Sequence, residues 1–214
     1  MKIIETINGK YYYEEKELYY GRKIVDKKNI KENLKKLVSI LEKHEIRYCL
    51  IYGTLLGAIR ENDIISHDED ADIIIFDEYR KKFIDLLFNI KEEGLEVIRY
   101  KNDVISLMRN EDYIDIYFFK KKSKIFYWNL YCNSEVFPSK FFRELIKMNC
   151  LGYCYYVPRC YTEVLVYCYG DDWKIPKKNS PSTNHTFFNK IRLKLRKIKI
   201  LYKIYLILKN KKFI

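Results

Sequence analysis

The stretch whose reading decides the fold is Tyr52-Gly-Thr-Leu-Leu-Gly-Ala-Ile-Arg-Glu-Asn-Asp-Ile-Ile-Ser-His-Asp-Glu-Asp-Ala-Asp-Ile-Ile-Ile-Phe76. It joins a Gly53-Thr54 turn to four acids within five positions, Asp68, Glu69, Asp70 and Asp72, and then enters an apolar run. Ile46 to Ile51 reads as a buried strand feeding the turn, Leu55 to Arg60 as a short helix, and Asp72 to Phe76 as a second strand. Carboxylates clustered at the mouth of a buried element repel one another and resist desolvation. Such a cluster is either a solvated acidic turn or a site where a cation neutralises the charge. Asp70 and Asp72 are two residues apart, so on extended backbone both project to the same side. Two oxygen ligands with open positions left over suit Mg²⁺, with Mn²⁺ as a substitute, bridging to substrate phosphates. The backbone N–H groups of the turn and the start of the helix could face such a phosphate.

Working outward, apolar residues Ile30, Leu34, Leu37, Val38 and Leu41 fall at helical spacing between Lys27 and His44, with lysines on the opposite face. After the acidic cluster, Glu78 to Glu93 reads as an amphipathic helix closed by Gly94. Leu95–Arg99, Val104–Arg109 and Tyr113–Phe119 read as three strands. Asp115 interrupts the last of these, Tyr113-Ile-Asp-Ile-Tyr-Phe-Phe119. A carboxylate in an apolar strand needs a partner, which is either a nearby Lys or Arg or a metal shared with Asp70 and Asp72. Further on, Tyr153 to Val157 is strand-like and Tyr161 to Tyr169 helical. Residues 1–26, with an Asn8-Gly9 pair able to turn a hairpin, read as a peripheral N-terminal extension.

The chain of 214 residues, 48% hydrophobic and 16% aromatic, can bury one substantial core. Its net charge of +12 is concentrated at the end: residues 186–214 hold ten Lys or Arg and no acid. Residues 177–185, rich in Lys, Asn, Ser and Pro, read as the linker before that tail. The tail is amphipathic at helical spacing, and three fates are open to it. It could dock on the body, lie on an anionic membrane surface, or bind nucleic acid, the last disfavoured because no nucleic-acid motif accompanies the charge. No apolar run of about 18 residues is present, and the six cysteines match no paired zinc template. With no secretory signal pattern at the N-terminus, reduced thiols in a cytoplasmic protein are expected.

Four segments occur in the order found in the LicD family: Tyr52-Gly-Thr-Leu-Leu-Gly-Ala-Ile-Arg60, His67-Asp-Glu-Asp-Ala-Asp72, Val136-Phe-Pro138 and Tyr169-Gly-Asp-Asp-Trp-Lys-Ile-Pro176. The chain resembles that family, which includes bacterial phosphorylcholine transferases and fukutin-related proteins, over roughly residues 30–176. The resemblance implies an α+β, nucleotidyltransferase-like fold, a mixed β-sheet flanked by helices, here followed by a basic C-terminal helix. A catalytic domain of that kind is expected over residues 27–176. The resemblance places Asp70 and Asp72 on the metal, with Asp115 as the third carboxylate of the fold, and Gly53 and Thr54 at the nucleotide phosphates. Asp68 stands behind the metal ligands or is itself a ligand, and Asp115 or Asp68 would accept the hydroxyl proton of the acceptor. Arg60 is a phosphate clamp or a surface cation. Glu69 is expected to face water. His67, where the family commonly has an aromatic, reads as a loop histidine.

The activity this implies is Mg²⁺-dependent transfer of a phospho-alcohol, phosphocholine-like, from a CDP-activated donor to a sugar hydroxyl. The acceptor is a surface glycan or its lipid-linked precursor, and the basic tail would hold the enzyme at the inner face of the membrane. Two other readings are a nucleotidyltransferase using an NTP donor, and a basic membrane- or RNA-binding protein with a non-catalytic version of the fold.

Overall fold

The alternation in the first 13 residues closes as a hairpin of β1, Lys2–Thr6, and β2, Gly9–Tyr13. This is seen in a computed structural model that describes residues 1–19, 21–121, 129–133 and 135–176. The hairpin is less peripheral than its charge suggests. Tyr11 is almost wholly buried, with its ring edge-on to Phe88 at 5.3 Å. The chain then runs to helix α1, Lys27–Lys43, whose start is capped by the Asp26 carboxylate accepting the Asn29 N–H at 2.8 Å. Its predicted stripe of Ile30, Leu34, Leu37, Val38 and Leu41 is fully buried, each side chain contributing roughly 2 kcal/mol. Asn33 joins the stripe because its amide is satisfied, donating to the Arg109 carbonyl and accepting from the Arg109 guanidinium, each at 3.0 Å.

The central sheet is built from β3, Tyr48–Leu50, β4, Ala71–Phe76, β5, Glu96–Lys101, β6, Val104–Arg109, and β7, Asp112–Lys121. Its order is β3-β4-β7-β6-β5. β4 and β7 run parallel and the other neighbours antiparallel, so the sheet is mixed as expected. Helix α2, Tyr52–Arg60, leads from β3 into the acidic loop that enters β4. β4 is buried along its whole length, which explains its unbroken Ile73-Ile-Ile-Phe76 run.

The single helix expected over 78–93 is two. After a 3₁₀ turn at Asp77–Tyr79 come α3, Arg80–Asp85, and α4, Leu87–Glu92. The break falls where Asp85 is engaged by the first hairpin: its carboxylate accepts the Ile7 N–H and its carbonyl the Asn8 side-chain amide.

The far end of β7 pairs with β8, Asn129–Cys132, which pairs with β9, Glu135–Pro138. A second hairpin, β10, Leu145–Cys150, and β11, Tyr153–Pro158, turns on Leu151 and Gly152, both at positive φ, as a two-residue turn requires. Helix α5, Tyr161–Tyr169, follows. Two compact units divide the chain, Met1–Leu165 and Val166–Ile214. The first therefore includes the N-terminal hairpin with the sheet. In the second, the described residues form the end of α5 and a bend from Gly170 to Pro176. The linker expected at 177–185 and the basic helix expected at 186–214 lie outside the described residues. Among the described residues no helix is long and apolar enough to cross a membrane.

Candidate active site

The site forms where β3 passes into α2 beside the start of β4. Ile51 is still extended, whereas Tyr52 takes φ 48°, a left-handed conformation that costs a bulky residue of order 1–3 kcal/mol and lets the chain enter the helix at once. Two bonds tie this junction to the acidic loop. The Ile51 N–H donates to the Asp72 carbonyl at 3.3 Å, and the Thr54 hydroxyl accepts the Asp72 N–H at 2.7 Å. Gly53 lies so close to Asp68 that a Cβ there would stand 2.9 Å from its Oδ2. Gly57 is tighter still, with its Cβ direction blocked by the Asp63 carbonyl.

The N-terminal segment holds the loop from its other side. The Val25 N–H donates to the Asp68 carbonyl at 3.0 Å. The Gly21 N–H lies 2.7 and 2.9 Å from the two Glu69 carboxylate oxygens. Glu69 is thus half-buried and anchored, not turned to water as the sequence suggested. His67 is exposed, in keeping with a loop histidine.

Register then carries the acids across the sheet. Asp72 on β4 is paired with Asp115 on β7, Asp115 with Ser106 on β6, and Ser106 with Arg99 on β5. Paired positions share a face, so these four side chains form one polar row through an otherwise apolar sheet. Tyr113 and Tyr117 flank Asp115 at period two on the same face. Both tyrosines lie near the acids: burial first, then Asp70 and Asp115, drives the Tyr113 phenol well above its ordinary range, and burial, then Asp72, Asp115 and Asp70, does the same to Tyr117. The Tyr52 ring packs edge-on against Tyr117 at 5.1 Å, and its hydroxyl bonds the Glu135 carboxylate on β9.

Electrostatics separates the acids. Asp115 is ion-paired with Arg99 at 2.6 Å and accepts the Ser106 hydroxyl at 2.6 Å. Among the described residues, no Lys or Arg pairs with Asp68, Asp70 or Asp72. Burial, then the nearby Glu61 carboxylate, pushes Asp68 up to about 7. Burial, then Asp115 and Asp68, pushes Asp70 up to about 7. Asp72 is driven well above the carboxylate range by burial first and then by Asp70, Asp115 and Asp68. Asp70, half-buried, and Asp72, buried, therefore stand among the described residues without an ion-paired Lys or Arg, and a divalent cation fits them. Asp115, the third acid expected of the set, sits directly across from Asp72 and is held by Arg99 and Ser106. Among the described residues, no three His, Cys, Asp or Glu side chains are arranged to hold a metal together.

Gly53 and Thr54 stand where the sequence put them, at the start of α2, although the Thr54 hydroxyl is buried and engaged with Asp72. Arg60 lies near enough to Asp68 to favour its charged form, but its guanidinium is folded onto Glu61, with Nε 3.0 Å from Oε1. Sequence reasoning missed Arg99, Ser106, Tyr113, Tyr117 and Tyr52. Tyrosines two positions either side of Asp115 and a serine inside Val104-Ile-Ser-Leu-Met108 were the available signals.

A mixed sheet flanked by helices, with paired acids beside a strand-to-helix Gly-Thr turn, has the architecture of a nucleotidyltransferase-like fold. Residues 45–160 match the family model described as LicD/FKTN/FKRP, nucleotidyltransferase domain, and the chain belongs to the LicD family. A relative from Rickettsia typhi, itself an uncharacterized protein, is 36% identical over 105 residues. That match takes in 49% of this chain and 32% of the relative, so the chain spans about a third of that protein's length. Among solved structures, the lincosamide antibiotic adenylyltransferase LnuA with lincomycin bound is similar at 15% identity, covering 76% of this chain and 94% of that one, TM-score 0.47. The antibiotic-resistance factor ANT(2'')-Ia is similar in its solution structure at 12% identity, covering 84% and 92%, TM-score 0.49. Its complex with adenylyl-2''-tobramycin gives 12% identity, coverage of 82% and 95%, and TM-score 0.46.

Proposed function

We propose that this protein is a Mg²⁺-dependent transferase that moves a phospho-alcohol group from a CDP-activated donor to a sugar hydroxyl of a cell-surface glycan or its lipid-linked precursor. The observation that carries the reading is the pair Asp70, half-buried, and Asp72, buried, which among the described residues has no ion-paired Lys or Arg and stands at the entry to β4 beside the start of α2, in a chain of the LicD family. These two carboxylates would hold Mg²⁺ or Mn²⁺. When bound, such an ion offsets the charge that gathers on the phosphates and the departing CMP.

The chain's own residues supply the rest. The first N–H groups of α2, at Gly53 and Thr54, would hold phosphate oxygens, as free N–H groups at a helix start do. Gly53 serves this by admitting Asp68 and the substrate close to the backbone. The hydroxyl oxygen of the acceptor bonds to phosphorus, the bond from phosphorus to the CMP oxygen breaks, and the hydroxyl proton passes to Asp68 or Asp115. Tyr113 and Tyr117 orient the acids from β7. A basic tail at 186–214 would keep the enzyme on the anionic inner face of the membrane, close to a lipid-linked acceptor.

The test is calorimetric binding of CDP-alcohols and of NTPs with and without Mg²⁺, followed by identification of the leaving group. Release of CMP, lost in Asp72→Ala with the fold intact, supports the reading. Release of pyrophosphate from an NTP would make the protein a nucleotidyltransferase. No Mg²⁺-dependent nucleotide binding would point to a non-catalytic member of the fold.

A further inference from the structure

β5 carries an irregularity whose effect reaches the site. Val97 pairs with Leu107, but the next pair along is Arg99 with Ser106, so Ile98 is one extra residue on its strand. Were β5 paired regularly through Ile98, Arg99 would stand opposite Ile105, on the other face of the sheet. The bulge thus moves the guanidinium onto the face that carries Asp115 and Asp72. A contact from outside the sheet supports it, since the carbonyl of Ile98 accepts the Lys16 N–H at 2.9 Å.

Once on that face, Arg99 closes a ring. Its Nη2 donates to Asp115 Oδ2 at 2.6 Å, its Nε donates to Ser106 Oγ at 2.9 Å, and the Ser106 hydroxyl donates to Asp115 Oδ1 at 2.6 Å. Each oxygen of Asp115 therefore has a donor from the β6–β5 side, and its charge has a partner. Ser106 is completely buried and the Asp115 side chain nearly so, which fixes the arrangement. Among the described residues, Asp70 and Asp72 have no such ring.

We infer that Arg99 and Ser106 are positioning residues that reserve Asp115 from the metal, so that the site is a two-carboxylate one and not the three-carboxylate set expected from the sequence. The inference rests on the metal reading proposed above. It also narrows what the site accepts. With two protein carboxylates, most coordination positions fall to the substrate, which favours a donor presenting adjacent phosphate oxygens, a diphosphate, over a single phosphate.

The test is Mn²⁺ binding to the full chain, read by water-proton relaxation, with thermal unfolding recorded to confirm folding. Asp72→Asn is expected to weaken Mn²⁺ by at least about tenfold, whereas Asp115→Asn leaves the affinity unchanged. Arg99→Ala and the neutral Ser106→Ala are both expected to tighten Mn²⁺, because Asp115 is then free to turn to the ion. The gain should vanish when either is combined with Asp115→Asn, and Arg99→Lys should restore part of the wild-type behaviour. If Asp115→Asn weakens Mn²⁺ as much as Asp72→Asn does, the inference falls and the metal reading stands. The same holds if Arg99→Ala and Ser106→Ala leave the affinity unmoved. If the wild-type chain binds no Mn²⁺, the metal reading itself falls and takes the inference with it.

Discussion

The Thr54 hydroxyl accepts the Asp72 N–H at 2.7 Å inside the protein, while the Asp72 carbonyl accepts the Ile51 N–H at 3.3 Å. The backbone of the acid at the entry to β4 is thus held on both sides by the junction that begins α2. Thr54→Val keeps the shape and removes the acceptor, leaving a buried N–H unsatisfied. It should destabilise the protein by about 1–3 kcal/mol in urea unfolding, while Thr54→Ser stays near wild type. A Thr54→Val protein as stable as the parent would show that the bond does not hold the junction.

Gly53 and Gly57 lie one helical turn apart but should fail differently. At Gly57 an added methyl meets backbone, the Asp63 carbonyl and, at 3.2 Å, the Ile65 nitrogen, which must move. Gly57→Ala should therefore lower stability by roughly 1–3 kcal/mol. At Gly53 the methyl meets the end of the Asp68 side chain at 2.9 Å, which can rotate away. Gly53→Ala should cost little stability and instead lower kcat by displacing Asp68. The paired measurement is unfolding midpoint against turnover, and equal losses in both variants would refute the distinction.

The parts of this fold that were legible in sequence are those set by local period. The α1 stripe, the β4 run and the Asp70–Asp72 spacing each depend on residues within a few positions of one another. What was hidden depends on distant partners or on a register shift. Arg99 reaches the acid face only because β5 bulges at Ile98 instead of pairing it, and no residue type there marks a bulge. Glu69 looked solvated because its partner, the Gly21 N–H, lies 48 positions away. The break between α3 and α4 sits where the first hairpin docks on Asp85, which helical periodicity cannot reveal.

Asp103 supplies a test by pH. It follows Asn102 in the tight β5–β6 turn, with its side chain only 7% exposed. Its carboxylate accepts Arg80 at 2.7 Å, Lys120 at 2.8 Å and the Asn133 N–H at 3.1 Å. Burial pushes its pKa up, but the bonds from Lys120, Arg80 and Asn133 outweigh it and hold the group below the usual carboxylate range. Lys120 is 45% exposed and Arg80 24%, so screening weakens the first and Arg80 with the Asn133 N–H dominates. A group whose pKa is lowered on folding stabilises fully above its unfolded value, about 4, and loses that contribution as pH falls through the folded value. Asp103→Asn should be less stable by about 2 kcal/mol near neutrality, and the gap should close in acid. A gap that stays constant from neutral pH into acid would show that the charge of Asp103 contributes nothing.

Tyr155 should respond in the opposite direction. Its side chain is fully buried in β11, and among the described residues its hydroxyl has no hydrogen-bond partner. Burial accordingly drives its pKa far above the ordinary phenol range. A buried hydroxyl without a partner keeps its desolvation penalty and returns nothing for it. Tyr155→Phe removes the oxygen and retains the ring, including its edge-on packing with Tyr153 at 5.3 Å. The variant should be more stable than the parent by about 1 kcal/mol, seen as a higher urea midpoint at unchanged slope. A loss of stability would mean that the hydroxyl is bonded in solution, by an ordered water between β10 and β11, and that the polar atom is part of how this hairpin packs.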